Sequence, residues 1–586
     1  MNDREPLPRA LMVLISLLQG LGLLLLHQAI ELKYWPHGAP HWLFAFYSVA
    51  FIWPTMLLLS LGIGPTRRVV KLTLPFALLA GLLGYYVGHQ AIPLEHIRYS
   101  TLLGGYVLTM AIATFKVLLY SQLYATGERI CYSALFRWSW RNFLTLALAL
   151  LFALGLWLIL MLWGALFRAI GIRFFNTLFQ TPWFYYPILA LAHGFGIIIF
   201  RNLSHVIDTI VRLQQALMTF LLVLLVLVSL LFLAALPFTG LEPLWNSGGS
   251  ALILWMQALM LFFVNAVYQD NPQQRPYPLW LHRFVYLGVA LLPVYSAIAF
   301  YGLSLRVGQY GWSLDRCWAF LIWFLLALFP LGYWWSIATR RDHWLQRLDR
   351  INISIGLVVL AAMLLVNSPL LDFRKIVVND QLQRLSDGRV EPDKLDIRYF
   401  RWHLAKPGYD ALQEIKHRYS DSDPTLAARI DELYRDHSTP RPAVTLEEFE
   451  ARLDVLGNDV PAQLLETILD VEEQRLPFIQ HYYLLPVDLD KDGQTDYLLA
   501  AEQEFQLTLT LYYLAPTSLT PTHLTSSEPL ERQWQHSAMK PLYPDTRENT
   551  QSLVEALKTG KIELIQPRWH DIEIGGARSR VEIDNR

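Results

Sequence analysis

The chain has 586 residues, of which 54% are hydrophobic and only 17% are charged, whereas soluble globular proteins carry about 25% charged residues. Residues 1–371 hold 23 Lys and Arg against 11 Asp and Glu, while residues 372–586 hold 25 against 38. This asymmetry predicts a domain boundary near residue 371, and the acidic second part argues against nucleic acid as a partner.

Eleven segments of the first part are apolar and long enough to span a bilayer, which takes about 20 residues of helix. The fold class that they predict is an all-α polytopic membrane bundle occupying residues 1–371. The predicted spans are Leu11–Ile30, Trp42–Ile63, Leu72–Ile92, Thr101–Tyr120, Phe143–Leu166, Trp183–Phe200, Ala216–Pro237, Ala251–Tyr268, Phe284–Leu305, Cys317–Ile337 and Ile353–Leu371.

The loops between these spans alternate in charge. With the N-terminus in the cytoplasm, 16 Lys and Arg lie in cytoplasmic segments and six lie in the opposite loops. Cytoplasmic loops of membrane proteins carry the excess of Lys and Arg, so the pattern favours this orientation. An odd number of spans then places the C-terminal part outside the cytoplasm.

Few ionisable side chains lie inside the predicted spans. His193, in the sixth span, is flanked by Gly194 and Gly196. A buried ionisable group in a membrane is a functional candidate by default, so His193 is a candidate for a solute or proton path. The competing interpretation is a histidine packed against a neighbouring helix, and the sequence favours it because no Asp or Glu lies deep in a predicted span.

A dense polar turn, LRVGQYGWSLDRCW, separates the ninth and tenth predicted spans. Gly311 suits a left-handed turn, and Ser313 with Asp315 suits the start of a helix. A cap alone does not need so many polar and aromatic side chains, so the turn is also a candidate ligand-binding site. Its candidate residues are Gln309, Tyr310, Trp312, Asp315 and Arg316.

Three motifs together resemble the bacterial domain-of-unknown-function family 4153. The first is the Tyr-Gly-aromatic-Ser-x-x-Arg turn at residues 310–316. The second is the NSPLLDFRKIVVNDQLQRLSDGRV segment, which contains Gln-x-x-Arg-Leu, and the third is LDIRYFRWHLAKPGYDAL. The resemblance covers residues 1–418 and implies a multi-spanning protein of the bacterial inner membrane. It implies no activity, and it transfers no catalytic residue to this chain.

The second part of the chain predicts a soluble, extracytoplasmic region in two pieces. Residues 372–440 show apolar side chains at helical spacing. Residues 441–586 begin with helical patterns and continue with runs rich in β-branched and aromatic residues, which predict an α+β domain. The segment Ser438–Ala443, with its two prolines, is a predicted linker.

The α+β domain contains the loop DLDKDGQTD, which predicts a structural calcium site. Calcium prefers six to eight oxygen ligands, and the candidate ligands are Asp488, Asp490, Asp492, Gln494 and Asp496. Leu499 occupies the position at which an EF-hand loop has its bidentate Glu, and the flanking segments predict strands, so the loop is not an EF-hand. The alternative is a tight hairpin turn without an ion.

These features favour a non-enzymatic inner-membrane scaffold or sensor, whose periplasmic domain binds a protein or lipid partner. The membrane part itself is in contact with the lipid bilayer. One alternative is a transporter or a lipid-handling protein, and another is a membrane transferase. The transferase alternative is weakened because the predicted outside loops carry isolated carboxylates, such as Glu31 and Glu95, and no carboxylate pair.

Overall fold

The structure is a computed structural model of the chain, and it divides into two compact units, Met1–Leu433 and Tyr434–Arg586. Up to the end of the helix that crosses this boundary, the structure describes residues 7–241, 249–268, 276–340, 345–420 and 424–434. Beyond these it describes residues 446–457, 460–472, 479, 481–489, 493–503, 506–516, 532–539, 542, 547–559, 572–574 and 577–579.

The first unit is built from helices, as the apolar segments predict. The helices up to the end of the last span are α1 Arg9–Glu31, α2 Pro40–Ser60, α3 Thr66–His89, α4 Ser100–Thr126, α5 Tyr132–Ala169, α6 Phe174–Gln180, α7 Pro182–Asn202, α8 Ser204–Thr239, α9 Ser250–Val267, α10 Leu279–Ala290, α11 Leu292–Tyr310, α12 Leu314–Arg340 and α13 Leu345–Leu365.

Ten of the described helical segments are long and apolar enough to cross a membrane, and α10 and α11 together form one of them. The remaining predicted span, the eighth (Ala251–Tyr268), corresponds to α9, whose apolar part is shorter. The predicted ninth span is interrupted, since α10 ends at Ala290 and α11 begins at Leu292 with a proline in its first turn. Proline fits the first turn of a helix because its missing N–H has no helical partner there.

The positions of the helix ends show that α9 also crosses. We call the face at which α1 begins the N-terminal face, and the face at which α13 ends the exit face. The third crossing brings α3 to the exit face, and α4 begins there. Leu314, at the start of α12, lines one cavity with Val87 near the end of α3 and Thr101 at the start of α4, so α12 also begins at the exit face.

From the end of α4 to the start of α12, the chain must therefore cross the membrane an odd number of times. Helices α5, α7 and α8 and the α10–α11 pair supply four crossings, and α9 supplies the fifth. Within the described residues, the bundle thus has ten helical segments long and apolar enough to span a membrane, and the helix ends add α9 as an eleventh crossing. The helical bundle and the mixed sheet that follows it confirm the predicted fold class.

Polar side chains inside the bundle pair with one another across helices. Each pair satisfies groups that would otherwise lie unpaired in an apolar environment, which is costly. The hydrogen bonds join Ser48 to Tyr106 at 2.6 Å, Asn142 to Gln122 at 2.6 Å, Gln257 to Ser296 at 2.7 Å, Tyr333 to Asn352 at 2.6 Å and Asn352 to Asn265 at 2.6 Å. These contacts tie the spans to one another.

Four further helices complete the first unit after the last span. They are α14 Phe373–Ser386, α15 Ile397–His403, α16 Ala405–Tyr419 and α17 Pro424–Tyr434, whose last residue opens the second unit. Asp372 caps α14 by accepting a hydrogen bond from the N–H of Arg374, and Asp396 caps α15 in the same way through the N–H of Tyr399. The backbone N–H of Lys406 donates to the carbonyl of Gln90, which fixes the start of α16 against the end of α3.

The second unit contains a mixed sheet, as the change of sequence period predicts. Its elements are α18 Leu446–Glu450, β1 Leu453–Val455, α19 Ala462–Glu472, β2 His481–Val487, β3 Asp496–Gln503, β4 Gln506–Pro516, β5 Arg532–Ala538, α20 Arg547–Lys558, β6 Ile572–Ile574 and β7 Ala577–Ser579. Strands β1 to β5 follow one another in the sheet, with β1 parallel to β2 and the other pairs antiparallel, while β6 and β7 form a separate pair.

Both faces of this sheet are covered by helices. Tyr482 and Leu484 on β2 pack into one apolar cluster with Phe449 of α18 and Leu464 of α19. The alternate residues Tyr483 and Leu485 pack into a second cluster with Val554 of α20. A strand that is buried on both faces needs a continuous apolar run rather than alternation, which is what the HYYLLPV sequence of β2 provides.

Candidate functional site at the exit face

The polar turn predicted between the ninth and tenth spans lies at the exit face. Helix α11 ends at Gly311, which has φ +75° and ψ −174°, a backbone conformation that is almost confined to glycine. A Cβ atom on Gly311 would lie 2.5 Å from both Asp380 Oδ2 and Arg384 Nε. The turn therefore requires glycine for its backbone conformation and for the close approach of α14.

Asp380 and Arg384, one helical turn apart on α14, hold this turn. Asp380 Oδ2 accepts hydrogen bonds from the backbone N–H of Trp312 at 2.8 Å and from Arg384 Nε at 3.2 Å. Arg384 Nη2 donates to the carbonyl of Val307 at 3.0 Å. The guanidinium thus satisfies a carbonyl in the last turn of α11, and the carboxylate satisfies an N–H that no helix uses.

Two more side chains from the family motifs reach the same turn. Gln381 Nε2 donates to the carbonyl of Trp312 at 3.2 Å, and the hydroxyl of Tyr399 on α15 accepts from the backbone N–H of Leu314 at 2.8 Å. Burial raises the pKa of the Tyr399 hydroxyl above its ordinary value. We call this set of contacts, formed by residues 310–316 with Asp380, Gln381, Arg384 and Tyr399, the motif junction.

The structure brings only part of the predicted ligand-binding set into the motif junction. Arg316 Nη1 donates to the carbonyl of Gly311 at 2.7 Å, and its guanidinium lies 5.5 Å from the ring of Tyr310. The Trp312 side chain packs against Phe320 at 5.0 Å. These three side chains support the turn itself.

The other predicted residues make none of the hydrogen bonds or ring contacts described above. Gln309 and Asp315 are exposed. His193 is half-buried on α7, which packs mainly against α1 and α5. All six residues, those in the turn and His193, thus remain predictions as ligand-binding residues.

A cavity of about 80 Å³ lies beside the motif junction, and we call it the exit cavity. It is bounded by ends of helices: α3, α4, α12, α13, α14 and α15. Its lining residues are Val87, Thr101, Leu102, Gly105, Tyr106, Leu314, Trp318, Val366, Asn367, Asp372, Phe373, Arg374 and His403. Thr101 and His403 are exposed, so the cavity is open on their side.

A buried ion pair forms one wall of the exit cavity. Asp372 is 3% exposed, and its Oδ1 accepts from the backbone N–H and the Nε of Arg374 at 3.0 and 3.1 Å. Its Oδ2 accepts from the hydroxyl of Tyr86 at 2.8 Å. A buried carboxylate is stable only when it is paired and hydrogen-bonded, and Asp372 meets both conditions within the protein.

The predicted calcium loop joins β2 to β3 in the second unit. Gly493 has a φ of +79°, and its N–H donates to Asp488 Oδ2 at 3.3 Å. Asp496 is the first residue of β3, opposite Val487. Asp490 and Asp492 lie outside the described residues, and within the described part of the chain no three His, Cys, Asp or Glu side chains form a metal-binding group.

The sequence pattern does not single out Asp380, Arg384 or Asp372, although all three lie in the motifs that resemble the family. The motifs carried the signal, because each was recognised as part of one family pattern. The sequence does not predict the contact between the motifs, because Trp312 and Asp380 are 68 positions apart.

A comparison with protein families matches residues 13–415 to the family described as Domain of unknown function (DUF4153). No curated protein and no solved structure matches the chain. The matched segment contains every residue of the motif junction and of the exit cavity. It covers more than half of the chain, and the protein therefore belongs to the DUF4153 family.

Proposed function

We propose that this membrane protein is a non-enzymatic scaffold or sensor of the bacterial inner membrane. The observation that carries the proposal is the motif junction: its motif side chains bond to the turn between α11 and α12 and so hold α14 and α15 against the spans. Side chains whose polar groups are used in such structural hydrogen bonds stabilise the fold and are not available for a reaction.

The interior of the bundle supports the same proposal. Gln257 and Asn265 are polar residues that a transport path would use, and both are engaged with neighbouring helices. Gln257 is fully buried. Side chains that pair across helices stabilise the bundle, as a scaffold requires.

In this proposal the N-terminal face is cytoplasmic and the second unit is periplasmic, where it binds a partner protein. The 16 to 6 distribution of basic residues supports the orientation. The sheet of the second unit supports partner binding, because among the described strands β1 pairs only with β2 and Val455 on β1 is 41% exposed. An edge strand offers unpaired backbone groups to a partner strand.

Partner binding is tested by photocrosslinking in cells that express the full chain. A photoreactive phenylalanine analogue replaces Val455 in one strain and Leu370, which is 80% exposed just after the last span, in a control strain. We expect a discrete protein adduct from position 455 that position 370 does not give. Absence of any adduct at 455, or the same adducts at both positions, would contradict partner binding through β1.

We also propose that the β2–β3 loop binds calcium as a structural ion. Asp488 Oδ1 is buried and has no hydrogen-bond partner among the described residues, and the Gly493 turn brings the loop backbone back toward Asp488. A buried carboxylate oxygen without a hydrogen-bond donor is suited to bind a cation such as calcium.

Calorimetric titration of the purified full chain with calcium tests this site. We expect binding in the millimolar to micromolar range that extracellular modules and sensors show, and we expect it to be lost in Asp488→Asn. The matched control is Asp470→Asn, an exposed position on α19. Equal calcium binding by both variants, or none by the unmodified chain, would refute the proposal.

A further inference from the structure

Arg374 lines the exit cavity and carries hydrogen-bond donors that no described residue accepts. Both oxygens of Asp372 are engaged by Arg374 and Tyr86. Arg374 uses Nε for Asp372, and its two terminal nitrogens make no hydrogen bond among the described residues. A guanidinium carries five N–H groups in a fork that matches the oxygens of carboxylate and phosphate, so the unused groups favour an oxyanion.

The size of the cavity limits the ligand. Its 80 Å³ is several times the ~10–15 Å³ that one water molecule needs by the same measure. A single tetrahedral oxyanion fits that space, whereas a whole lipid does not. The cavity would therefore hold one phosphate group, with the rest of a larger ligand outside.

The surroundings indicate where the rest of the ligand would lie. The cavity is framed by helix ends at the exit face, which is the depth of lipid headgroups. Thr101 lines its exposed side, and from there α4 presents Leu103, Val107 and Leu108, which are 45%, 54% and 62% exposed. These side chains face acyl chains in a bilayer, so a lipid could place its phosphate in the cavity and its tails along α4.

We propose that the exit cavity binds a phosphate oxyanion, that Arg374 is its principal ligand, and that the occupant is the headgroup of a phospholipid. Lys375 follows Arg374 in the first turn of α14 but is not among the lining residues, and its Nζ lies 5.9 Å from the centroid of the Tyr86 ring. This site is independent of the scaffold role and of the partner surface on the second unit.

The test compares two glycine variants on α4. Gly105 lines the cavity, and a Cβ there makes ordinary contact with Trp318 at 3.5 Å, so Gly105→Leu fills the space without removing a charge. Gly104→Leu is the matched control, because nothing lies within 4 Å of its Cβ position. Arg374→Gln removes the proposed ligand, and Arg389→Gln, whose side chain is 66% exposed, is its control.

The full chain is purified in detergent, and the phospholipid that stays bound is quantified by mass spectrometry. The delipidated protein is then titrated in two separate experiments. One uses nanodiscs of phosphatidylethanolamine and phosphatidylglycerol, and the other uses inorganic phosphate. We expect Gly105→Leu and Arg374→Gln to weaken lipid binding about tenfold or more, as the loss of a charge-assisted hydrogen bond does. Both controls should bind as the unmodified chain does.

The two phosphate sources give different results. Displacement of bound lipid by inorganic phosphate supports a shared site in which the lipid is the natural occupant. Phosphate binding that is lost in both cavity variants, with lipid retention unchanged, would overturn the lipid assignment. Equal lipid and phosphate binding by Gly105→Leu and Gly104→Leu would overturn the site itself, and melting curves of the two variants show whether both are folded.

Discussion

Gly311 is the residue on which the motif junction depends. Its positive φ, together with ψ near 180°, is unfavourable for any residue with a side chain. The space that a side chain would need is occupied by the Asp380–Arg384 pair, whose side chains are only 25% and 13% exposed. The ion pair can therefore pack against the turn only because residue 311 has no side chain.

We expect Gly311→Ala to destabilise the chain by at least about 1–3 kcal/mol, the cost of a strained backbone conformation, with the displacement of α14 adding to it. Gly308→Ala is the control, three residues earlier in α11, where nothing lies within 4 Å of a Cβ. Alanine favours helix over glycine, so the control should be neutral or stabilising. Thermal melting of the two variants in detergent measures the difference, and equal melting temperatures would show that the turn is not constrained.

At the scale of elements, α15 is held to the start of α12 by one tyrosine. The hydroxyl of Tyr399 accepts the N–H of Leu314, a group that has no acceptor inside α12 because it belongs to the first turn. Tyr399 also stacks on His403, with ring centroids 5.0 Å apart. One residue thus connects α12, the turn before it and the wall of the exit cavity.

Tyr399→Phe removes the acceptor and keeps the ring. We expect a loss of about 1 kcal/mol, and we expect that loss to depend on pH. Because burial raises the pKa of Tyr399 above its unfolded value, the folded state favours the neutral hydroxyl. The stabilisation is complete below about pH 10 and declines as the pH rises through the folded pKa.

The difference in melting temperature between the unmodified chain and Tyr399→Phe should therefore be constant below about pH 10 and shrink above it. Tyr310→Phe is the control, since Tyr310 is 62% exposed and its hydroxyl makes no hydrogen bond among the described residues. A difference that stays constant at higher pH would contradict the role of the buried hydroxyl.

At the scale of the whole molecule, the eleven crossings fix which loops share a face. Alkaline phosphatase is active only outside the cytoplasm, so fusions report the face directly. We expect activity after Gly240 and Ser420, and no activity after Gly127 and Tyr268. Fluorescent protein fusions at the same four positions should give the opposite pattern.

The pair of fusions that flank α9 is the most informative. Activity after both Gly240 and Tyr268 would mean that α9 does not cross, and it would contradict the contacts that place α12 at the exit face. Activity after Gly127 with none after Ser420 would reverse the proposed orientation and leave the fold unchanged.

The sequence alone predicts the spans well, because twenty apolar residues have few other stable environments. It predicts one continuous ninth span, whereas the structure breaks the helix at Leu291, since proline is tolerated in membrane helices and marks no boundary by itself. The sequence also identifies the turn at residues 310–316 as a candidate site, because many polar and aromatic side chains lie close together there. It does not predict that Asp380 and Tyr399 hold this turn, because such pairings depend on long-range packing that no local pattern encodes.

The short length of α9 has a consequence for the surrounding bilayer. Its 18 residues extend about 27 Å at 1.5 Å per residue, and a typical hydrocarbon core is about 30 Å thick. Leu252, Trp255 and Phe262 are exposed on this helix, so lipid acyl chains contact this short helix directly. A span shorter than the hydrocarbon core favours local thinning of the bilayer by a few ångströms at this point of the perimeter. The protein should consequently partition toward membranes with shorter acyl chains, and the degree of hydrophobic mismatch would set where in a mixed bilayer it accumulates.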